Sequence, residues 1–205
     1  MARFAQAISE GDGISLVPVL AGDVETMARA ADEGGAEAVA LESVSDVERV
    51  RAVSGLPVLL RRRIRSMAEL VEAARAGADA VVLGIADFDE DDEQLEMLHA
   101  EAFARELDCA IEVDDEEGLE VALERLEPDI FAIANARDDG GEAFERTLDL
   151  LPDVPAGKLV ISQSRRIVRE QLLALERAGV DAVLVADVAV GGDFRAALTA
   201  LVGGE

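Results

Sequence analysis

The sequence contains few of the residue types from which metal and covalent catalytic sites are built. Lys158 is the one lysine among its 19 basic residues, Cys109 is its one cysteine, His99 is its one histidine, and tryptophan and tyrosine are absent. A single cysteine excludes a disulfide within the chain, and one histidine with one cysteine cannot form a zinc cluster. Lys158 precedes a predicted strand, away from the strand ends where a Schiff base would form, which excludes a lysine-dependent aldolase. We therefore expect neither a metal nor a cofactor.

Positive charge is also scarce, because the chain carries 44 acidic residues against 19 basic ones, a formal net charge of −25. Nucleic acid requires a basic surface, so we expect no nucleic-acid partner. No apolar run approaches the ~20 residues that cross a bilayer, and no basic leader precedes one, which predicts a cytoplasmic protein without a membrane partner. Arginine in place of lysine, with so many acids, is typical of the acidic proteome of a halophilic host, although GC-rich codon usage also favours arginine and alanine.

What the sequence does have is a repeated turn between a helix and a strand. It occurs as Glu33-Gly-Gly-Ala-Glu, Arg75-Ala-Gly-Ala-Asp and Arg177-Ala-Gly-Val-Asp, each followed by an apolar run. Gly35, Gly77 and Gly179 suit the left-handed position that ends a helix. The repetition of helix, glycine, acid and strand predicts alternating α and β units.

Apolar runs and helical patterns alternate along the chain. We expect an α/β fold, a single (β/α)8 TIM barrel that residues 1–205 form as one domain, and we make no prediction of oligomeric state. A doubly wound open sheet is the alternative; the count of eight strands, with no Gly-x-Gly-x-x-Gly after a strand, favours the barrel. The predicted strands are Leu16–Leu20, Ala38–Leu41, Leu56–Leu60, Ala80–Gly84, Cys109–Val113, Ile130–Ala134, Leu159–Ser162 and Ala182–Val185. The predicted helices after them are Val24–Glu33, Ser45–Val53, Ser66–Ala76, Asp91–Glu106, Glu116–Leu126, Gly141–Leu150, Arg166–Ala178 and Gly192–Leu201.

The third predicted strand lies in Leu56–Ile64, an apolar run followed by the three consecutive arginines 61–63. Ligand sites of (β/α)8 barrels lie at the C-terminal ends of the strands, so these arginines indicate a site for an anion. Side chains alternate along a strand, and Glu112, near the end of the fifth strand, is predicted to face the barrel axis. Cys109 then faces the helices as a packing residue.

The same alternation assigns an inward face to the neighbouring strands. In the sixth strand we expect an inward set of Phe131, Ile133 and Asn135, followed by Arg137. In the seventh strand we expect an inward set of Val160, Ser162 and Ser164, followed by Arg165. In the third strand the corresponding set is Leu59, Arg61 and Arg63.

These strand ends together predict a site for a small anionic, phosphorylated metabolite. The predicted catalytic residues are Glu112, Asn135 and Arg61, and the predicted substrate-binding residues are Arg63, Arg137, Ser164 and Arg165. The alternative for each arginine is an ion pair with one of the 44 acidic residues. His99 falls on a helix outside the barrel and is predicted to be a surface or packing residue.

Six segments carry a resemblance to a known family, and in this order they are fairly specific. They are Leu56-Pro-Val-Leu-Leu-Arg, Gly77-Ala-Asp-Ala-Val-Val-Leu, Ile111-Glu-Val, Ile133-Ala-Asn-Ala-Arg137, Ile161-Ser-Gln-Ser164 and Gly179-Val-Asp-Ala-Val-Leu-Val185. From about Phe4 to its end, the chain resembles the indole-3-glycerol phosphate synthases. These are ribulose-phosphate-binding barrels of tryptophan biosynthesis that close and decarboxylate a phosphorylated anthranilate derivative. The resemblance implies active-site positions for Glu112, Asn135, Arg137 and Ser164.

The chain departs from the family pattern at four strand ends. The family's first strand carries Glu-x-Lys and then Ser-Pro-Ser, where this chain has residues 18–20, Pro-Val-Leu, and then 21–23, Ala-Gly-Asp. The lysine that ends the family's third strand, the general acid of ring closure, is Arg61 here; a guanidinium stays protonated and is a poor proton donor. The family's Ser-Gly after strand seven becomes Ser164-Arg165, and its Gly-Glu-Ser after strand eight becomes Ala186-Asp187-Val188. Glycines whose N–H groups would approach a phosphate are thereby lost, and Asp187 would repel a phosphate unless Arg165 compensates.

Three functions fit this combination. The first is an indole-3-glycerol phosphate synthase, a carbon–carbon lyase, with an altered site in which Glu112 is the acid/base and Arg61 holds the substrate carboxylate. The second is a non-catalytic paralogue that binds an anionic metabolite or a partner protein. The third is a barrel enzyme that acts on another phosphorylated substrate, with Arg165 in a rebuilt phosphate site. The sequence leaves the choice among them, and the identity of the ligand, open.

Overall fold

A computed structural model describes residues 3–11, 13–88, 93–134, 141–188 and 193–202. The described residues contain eight β-strands and nine α-helices. The strands are β1 (Ser15–Pro18), β2 (Val39–Leu41), β3 (Val58–Arg63), β4 (Ala80–Gly84), β5 (Asp108–Val113), β6 (Ile130–Ile133), β7 (Leu159–Ser164) and β8 (Ala182–Val185). The helices are α1 (Arg3–Ser9), α2 (Val24–Glu33), α3 (Val44–Arg51), α4 (Met67–Ala76), α5 (Gln94–Ala104), α6 (Glu116–Arg125), α7 (Gly141–Leu150), α8 (Arg169–Ala178) and α9 (Phe194–Val202).

All eight strands run parallel in one sheet of order β1-β8-β7-β6-β5-β4-β3-β2. The two edge strands meet through a parallel bridge between Val19 and Ala40, and the Leu20 N–H donates to the Ala40 carbonyl at 2.9 Å. The sheet therefore curls into a nearly closed barrel, and the predicted (β/α)8 fold is confirmed. No described helix has the length and apolar character needed to cross a membrane.

Alternation along the strands divides the apolar core into two layers. One layer fills the barrel and includes Val17, Leu59 and Val82. The other lies between the strands and the surrounding helices and includes residues such as Phe131 of β6 and Leu98 of α5.

Helix α1 closes the N-terminal end of the barrel. Its buried residues Phe4, Ala5 and Ile8 pack against the inner layer, and the side chain of Phe4 is fully buried. The Ala5 N–H donates to Asp108 Oδ2 at 2.7 Å, which fixes the helix to the start of β5. Because this end is filled, a ligand reaches the interior from the C-terminal end of the strands.

The repeated turn folds as its sequence predicts. Gly35, Gly77 and Gly179 have φ values of 85°, 89° and 99°, the left-handed conformation in which glycine avoids a Cβ clash. The acid that follows each glycine accepts a backbone N–H from the first residues of the preceding strand. The three pairs are Glu37 with Leu16 at 3.0 Å, Asp79 with Val58 at 2.7 Å and Asp181 with Val160 at 2.7 Å. The recurring acid thus orders the N-terminal ends of the strands.

Two strands extend beyond their predicted ends at the opposite side of the barrel. β3 continues to Arg63 instead of ending at Leu60, and β7 continues to Ser164 instead of ending at Ser162. α8 begins at Arg169, three residues after the predicted start. The arginines 61–63 therefore belong to a strand and are held by its backbone.

Candidate functional site

The end of β3 carries its arginines on an irregular stretch of backbone. Leu59 and Leu60 pair with Ala80 and Val81, and the register then shifts so that Arg63 lies opposite Val82. A bulge of this kind re-aims the side chains around it. Arg61 and Arg63 both point to the mouth of the barrel, the open C-terminal end of the strands, while Arg62 pairs with Glu69 of α4 at 3.0 Å.

Glu112 lies on β5 at the mouth and is 7% exposed. Its Oε1 accepts from Arg63 Nε at 3.0 Å and from Arg63 Nη2 at 2.5 Å. Its Oε2 accepts from Gln163 Nε2 at 2.7 Å. Both oxygens of this buried carboxylate are engaged, by a charged and a neutral donor on opposite sides.

Gln163 is a residue of the site that the sequence analysis did not identify. It lies on β7, is 5% exposed, and its Oε1 accepts from Arg61 Nε at 3.3 Å. Arg61 in turn pairs with Glu42 at 3.0 Å. The side chains Glu42, Arg61, Gln163, Glu112, Arg63 and Asp87 therefore form a continuous polar network across the mouth.

The inward faces predicted for β6 and β7 are wrong. Phe131, Ile133 and Val160 pack in the outer layer against the helices. The Ser162 hydroxyl bonds that of Thr147 on α7 at 2.7 Å, so it also faces outward. Ile130 and Ala132 of β6 and Ile161 of β7 fill the barrel instead.

Ser164 ends β7 with its side chain turned to its own loop. The Ser164 hydroxyl donates to the Arg166 carbonyl at 2.6 Å, and the residue is 8% exposed. Its predicted role in binding substrate stays a prediction. Asn135 and Arg137 lie outside the described residues.

A second group of charges lies where β7 and β8 end. Arg165 Nε donates to Asp187 Oδ2 at 3.0 Å, Arg166 approaches the same oxygen at 3.5 Å, and the Asp187 N–H donates to the Arg165 carbonyl at 2.7 Å. Both guanidiniums are more than half exposed. Asp187 is thus compensated by two arginines that solvent can reach.

Asp87 completes the mouth beside β4. It lies in a short 3-10 turn, Ile85–Asp87, and its Oδ1 accepts from Arg63 Nη1 at 3.2 Å and from Arg65 Nη2 at 2.6 Å. Burial alone would lower the pKa of Arg63, but Glu112 and Asp87 outweigh it and raise that pKa. Arg63 therefore carries its charge permanently.

A cleft of about 230 Å³ opens next to Glu112, between the loop after β4 and the start of α6. Its wall is partly apolar and partly acidic, and burial together with the charge of Glu112 raises the pKa of Asp114 there. The apolar lining comes from Ile85, Phe88, Val113 and Val121. Within the described parts of the chain, no group of three His, Cys, Asp or Glu side chains could hold a metal ion.

The remaining rare residues lie away from the mouth. Cys109 packs against the outer layer, as predicted, and burial raises the pKa of its thiol, which makes it a poor nucleophile. His99 is half-buried on α5, and burial lowers the pKa of its imidazole. Lys158 pairs with Asp129 before β7, at the N-terminal end of the barrel.

Two solved structures share this architecture. An N-acetylmannosamine-6-phosphate 2-epimerase from Clostridium perfringens superposes with a TM-score of 0.70 at 17% identity, over 89% of this chain and 88% of the other. An orotidine 5'-phosphate decarboxylase from Pyrococcus horikoshii OT3 superposes with a TM-score of 0.69 at 15% identity, over 91% and 96% of the two chains. At these identities the likeness shows the fold alone.

Sequence comparison identifies the family. Indole-3-glycerol phosphate synthases of Variovorax paradoxus and Verminephrobacter eiseniae are 35% and 33% identical over 147 and 148 residues, about 70% of this chain. That of Shouchella clausii is 31% identical over 170 residues, or 78% of this chain and 66% of its own length. The chain spans about half the length of the first two relatives, 53% and 54%. The family described as indole-3-glycerol phosphate synthase matches residues 24–201, and the chain therefore belongs to that family.

Proposed function

We propose that the chain is an indole-3-glycerol-phosphate-synthase-type lyase of tryptophan biosynthesis, with a phosphorylated anthranilate derivative as its substrate. Family membership supplies the substrate class, and Glu112 is the observation that carries the proposal. A buried carboxylate at the mouth of such a barrel, held between a guanidinium and an amide, is the arrangement expected of a positioned acid/base.

In this proposal the arginines bind and Glu112 moves the proton. A guanidinium is a poor proton donor and a good partner for a carboxylate, so Arg61 holds the substrate carboxylate and does not donate a proton to the reacting atoms. Arg63 and Arg165, with Arg137, bind further negative charge, and Asn135 and Ser164 orient the substrate.

A second candidate is a paralogue that binds the anion without closing the ring. It is favoured by the pairing of Arg61, Arg63 and Arg165 with the carboxylates of the mouth, and by the guanidinium of Arg61 where the family pattern has its lysine acid. A third candidate, an enzyme acting on another phosphorylated substrate, is favoured by Arg165 at the end of β7.

Purified protein, at low and at high salt, is given the synthase substrate while indole fluorescence is recorded. We expect turnover that falls at least ~100-fold in Glu112→Gln, because general acid–base catalysis contributes about this much or more. The matched control is Asp46→Asn, which removes one charge from an ion pair with Arg49 on helix α3, outside the polar network of the mouth, and should leave turnover unchanged.

Calorimetric titration with the same substrate separates the candidates. Substrate binding without turnover would overturn the proposed lyase and support the non-catalytic paralogue. If the protein neither binds nor converts this substrate, the remaining candidate is an enzyme that acts on another phosphorylated substrate. Turnover that survives in Glu112→Gln would remove Glu112 from the acid/base role.

A further inference from the structure

Asp87 has a buried oxygen without a partner. Its side chain is 3% exposed, and both Arg63 and Arg65 donate to Oδ1. Oδ2 is buried and accepts no hydrogen bond within the described part of the chain. A buried carboxylate oxygen without a donor is costly, so an unpaired one close to a guanidinium requires an explanation.

Arg63 is shared unequally between two carboxylates. Two of its nitrogens lie on Glu112 Oε1, at 3.0 and 2.5 Å, and one lies on Asp87 Oδ1 at 3.2 Å. A guanidinium can form a forked pair with a carboxylate through both oxygens, and Asp87 offers two. The present arrangement uses one oxygen of each acid.

Gly84 keeps the space between the two acids open. A Cβ at this position would lie 3.0 Å from Asp87 Oδ2 and 3.5 Å from Arg63 Nε. The guanidinium therefore lies directly against a residue without a side chain, at the end of β4. The place that a side chain at position 84 would take is occupied by Asp87 Oδ2 and the Arg63 guanidinium, which lie close to each other there.

We propose that Arg63 is a latch with two positions and that Asp87 is the positioning residue that receives it. In the first position, which the structure shows, Arg63 covers Glu112. In the second it forms a forked pair with both oxygens of Asp87, and a ligand N–H or O–H donor takes its place on Glu112 Oε1. Gln163 holds the other oxygen of Glu112 in both positions, so the carboxylate stays aimed at the mouth.

The catalytic role of this latch rests on the proposed function. Glu112 cannot act on a substrate while Arg63 occupies Oε1, so opening the latch precedes the reaction. The exchange leaves no buried oxygen without a donor, because Arg63 gains the second oxygen of Asp87 when the ligand donor replaces it on Glu112. Its geometry can nevertheless be tested without any ligand.

The ligand-free test is the crystal structure of Glu112→Gln. Removing the charge at 112 removes the stronger attraction, and we expect Arg63 to form two N–O contacts of about 2.9 Å with the two oxygens of Asp87. Arg63 that stays on the amide at 112 or extends into solvent, with Asp87 Oδ2 still unpartnered, would overturn the latch. The ¹⁵N signal of Arg63 Nε tests the same point in solution. Because Arg63 already contacts Asp87 at 3.2 Å, Asp87→Asn should shift this signal more in the Glu112→Gln background than in the unmodified protein, and equal shifts would contradict the latch.

The second test of the latch measures turnover. Asp87→Asn removes the receiving charge, so Arg63 is held on Glu112 and kcat should fall at least ~10-fold, while Asp87→Glu restores part of it. Asp46→Asn is again the charge-matched control. Circular dichroism verifies the fold of each variant. An unchanged kcat in Asp87→Asn would overturn the latch; absence of turnover in the unmodified protein would instead contradict the proposed function and leave the crystal test decisive.

Discussion

At the N-terminal end of the barrel three carboxylates accept backbone N–H groups, and one of them also pairs with Arg51, whereas the carboxylates Glu112 and Asp87 at the C-terminal end are held by arginine side chains. Glu37, Asp79 and Asp181 are bonded to the starts of strands. Glu112 and Asp87 are bonded to guanidiniums that could take other partners. A backbone N–H cannot leave without unfolding the strand, but a side-chain donor can be displaced. The same residue types therefore fix the fold at one end and leave a replaceable network at the other.

Among the variants that test this difference between the two ends, Asp79→Ala is expected to have the largest effect on stability. The change removes the acceptor of the Val58 N–H and the carboxylate partner of Arg51, whose side chain is 21% exposed. We expect a loss of about 3 kcal/mol in the free energy of unfolding, because a half-buried charge and a backbone donor both lose their partner. Urea denaturation measures it. Asp129→Ala at the same end removes an 84%-exposed partner of Lys158 and should cost less than about 0.5 kcal/mol.

Gln163→Leu is expected to lower stability less than Asp79→Ala does, and to have a larger effect on ligand binding. Loss of the amide leaves Glu112 Oε2 and Arg61 Nε without this partner and should cost about 1–2 kcal/mol of unfolding free energy. Because Glu112 and Arg61 then lose their relative position, substrate affinity or turnover should fall at least ~10-fold.

Ser162→Ala is the matched control, since Ser162 is the adjacent residue of β7 on the outward face. It loses one hydrogen bond to Thr147 and should cost about 1 kcal/mol without a change in ligand binding. Equal losses of ligand binding in the two variants would mean that the two faces of β7 are not functionally distinct.

The smallest expected effect is that of pH on stability, through the carboxyl groups at the N-terminal end of the barrel. Burial raises the pKa of Glu37, Asp108 and Asp181 above their ordinary values, in spite of the N–H groups they accept. The native state then binds more protons than the unfolded state between the two pKa values, so stability falls as pH rises through that window. We expect the Tm to rise, at about 3 °C per kcal/mol, as pH is lowered toward the ordinary pKa values of these carboxyl groups.

The pH measurement is made in about 1 M KCl, which screens the net charge of −25. Below about pH 4.5 a loss should oppose this gain. The Arg65 N–H lowers the pKa of Glu69 and the Arg125 side chain lowers that of Glu96, and the stabilisation from both is lost as these acids are protonated. Asp181→Asn keeps an acceptor for the Val160 N–H and should flatten the rise of Tm that accompanies the fall in pH toward the ordinary pKa of an aspartate. A slope unchanged by this variant would show that other groups set it.

The fold could be predicted from the sequence because three features of the sequence indicate the same architecture. The glycine–acid turn repeats, the apolar runs are those of buried parallel strands, and the count of eight closes a barrel. The turns at Gly77 and Gly179 have the left-handed geometry that the pattern requires. Element ends were predicted less well, because a strand such as β3 continues into charged residues once its neighbours supply backbone partners.

Residues of the site could be predicted only on strands where the sequence shows which side chains face the barrel axis. Glu112 faces the mouth as expected, since an acid cannot face the helix layer without a partner. On β7 the polarity of Ser162 was misleading, because Thr147 of α7 satisfies its hydroxyl on the outer face. Gln163, the inward residue, was therefore missed. The bulge in β3 that brings Arg63 opposite Val82 has no signal in the sequence.

The bridge between Val19 and Ala40 has a consequence for how the ring of strands comes apart. Neighbouring strands elsewhere share three or more register pairs, whereas β1 and β2 are joined by this bridge and by the Leu20 N–H. Pro18 also contributes no donor at the end of β1. Sub-global opening has its lowest free energy where backbone pairing is sparsest. The Leu20 amide hydrogen, which spans this junction, should therefore exchange with solvent before those that donate between β4 and β7, and we expect the barrel to open as a sheet along this junction.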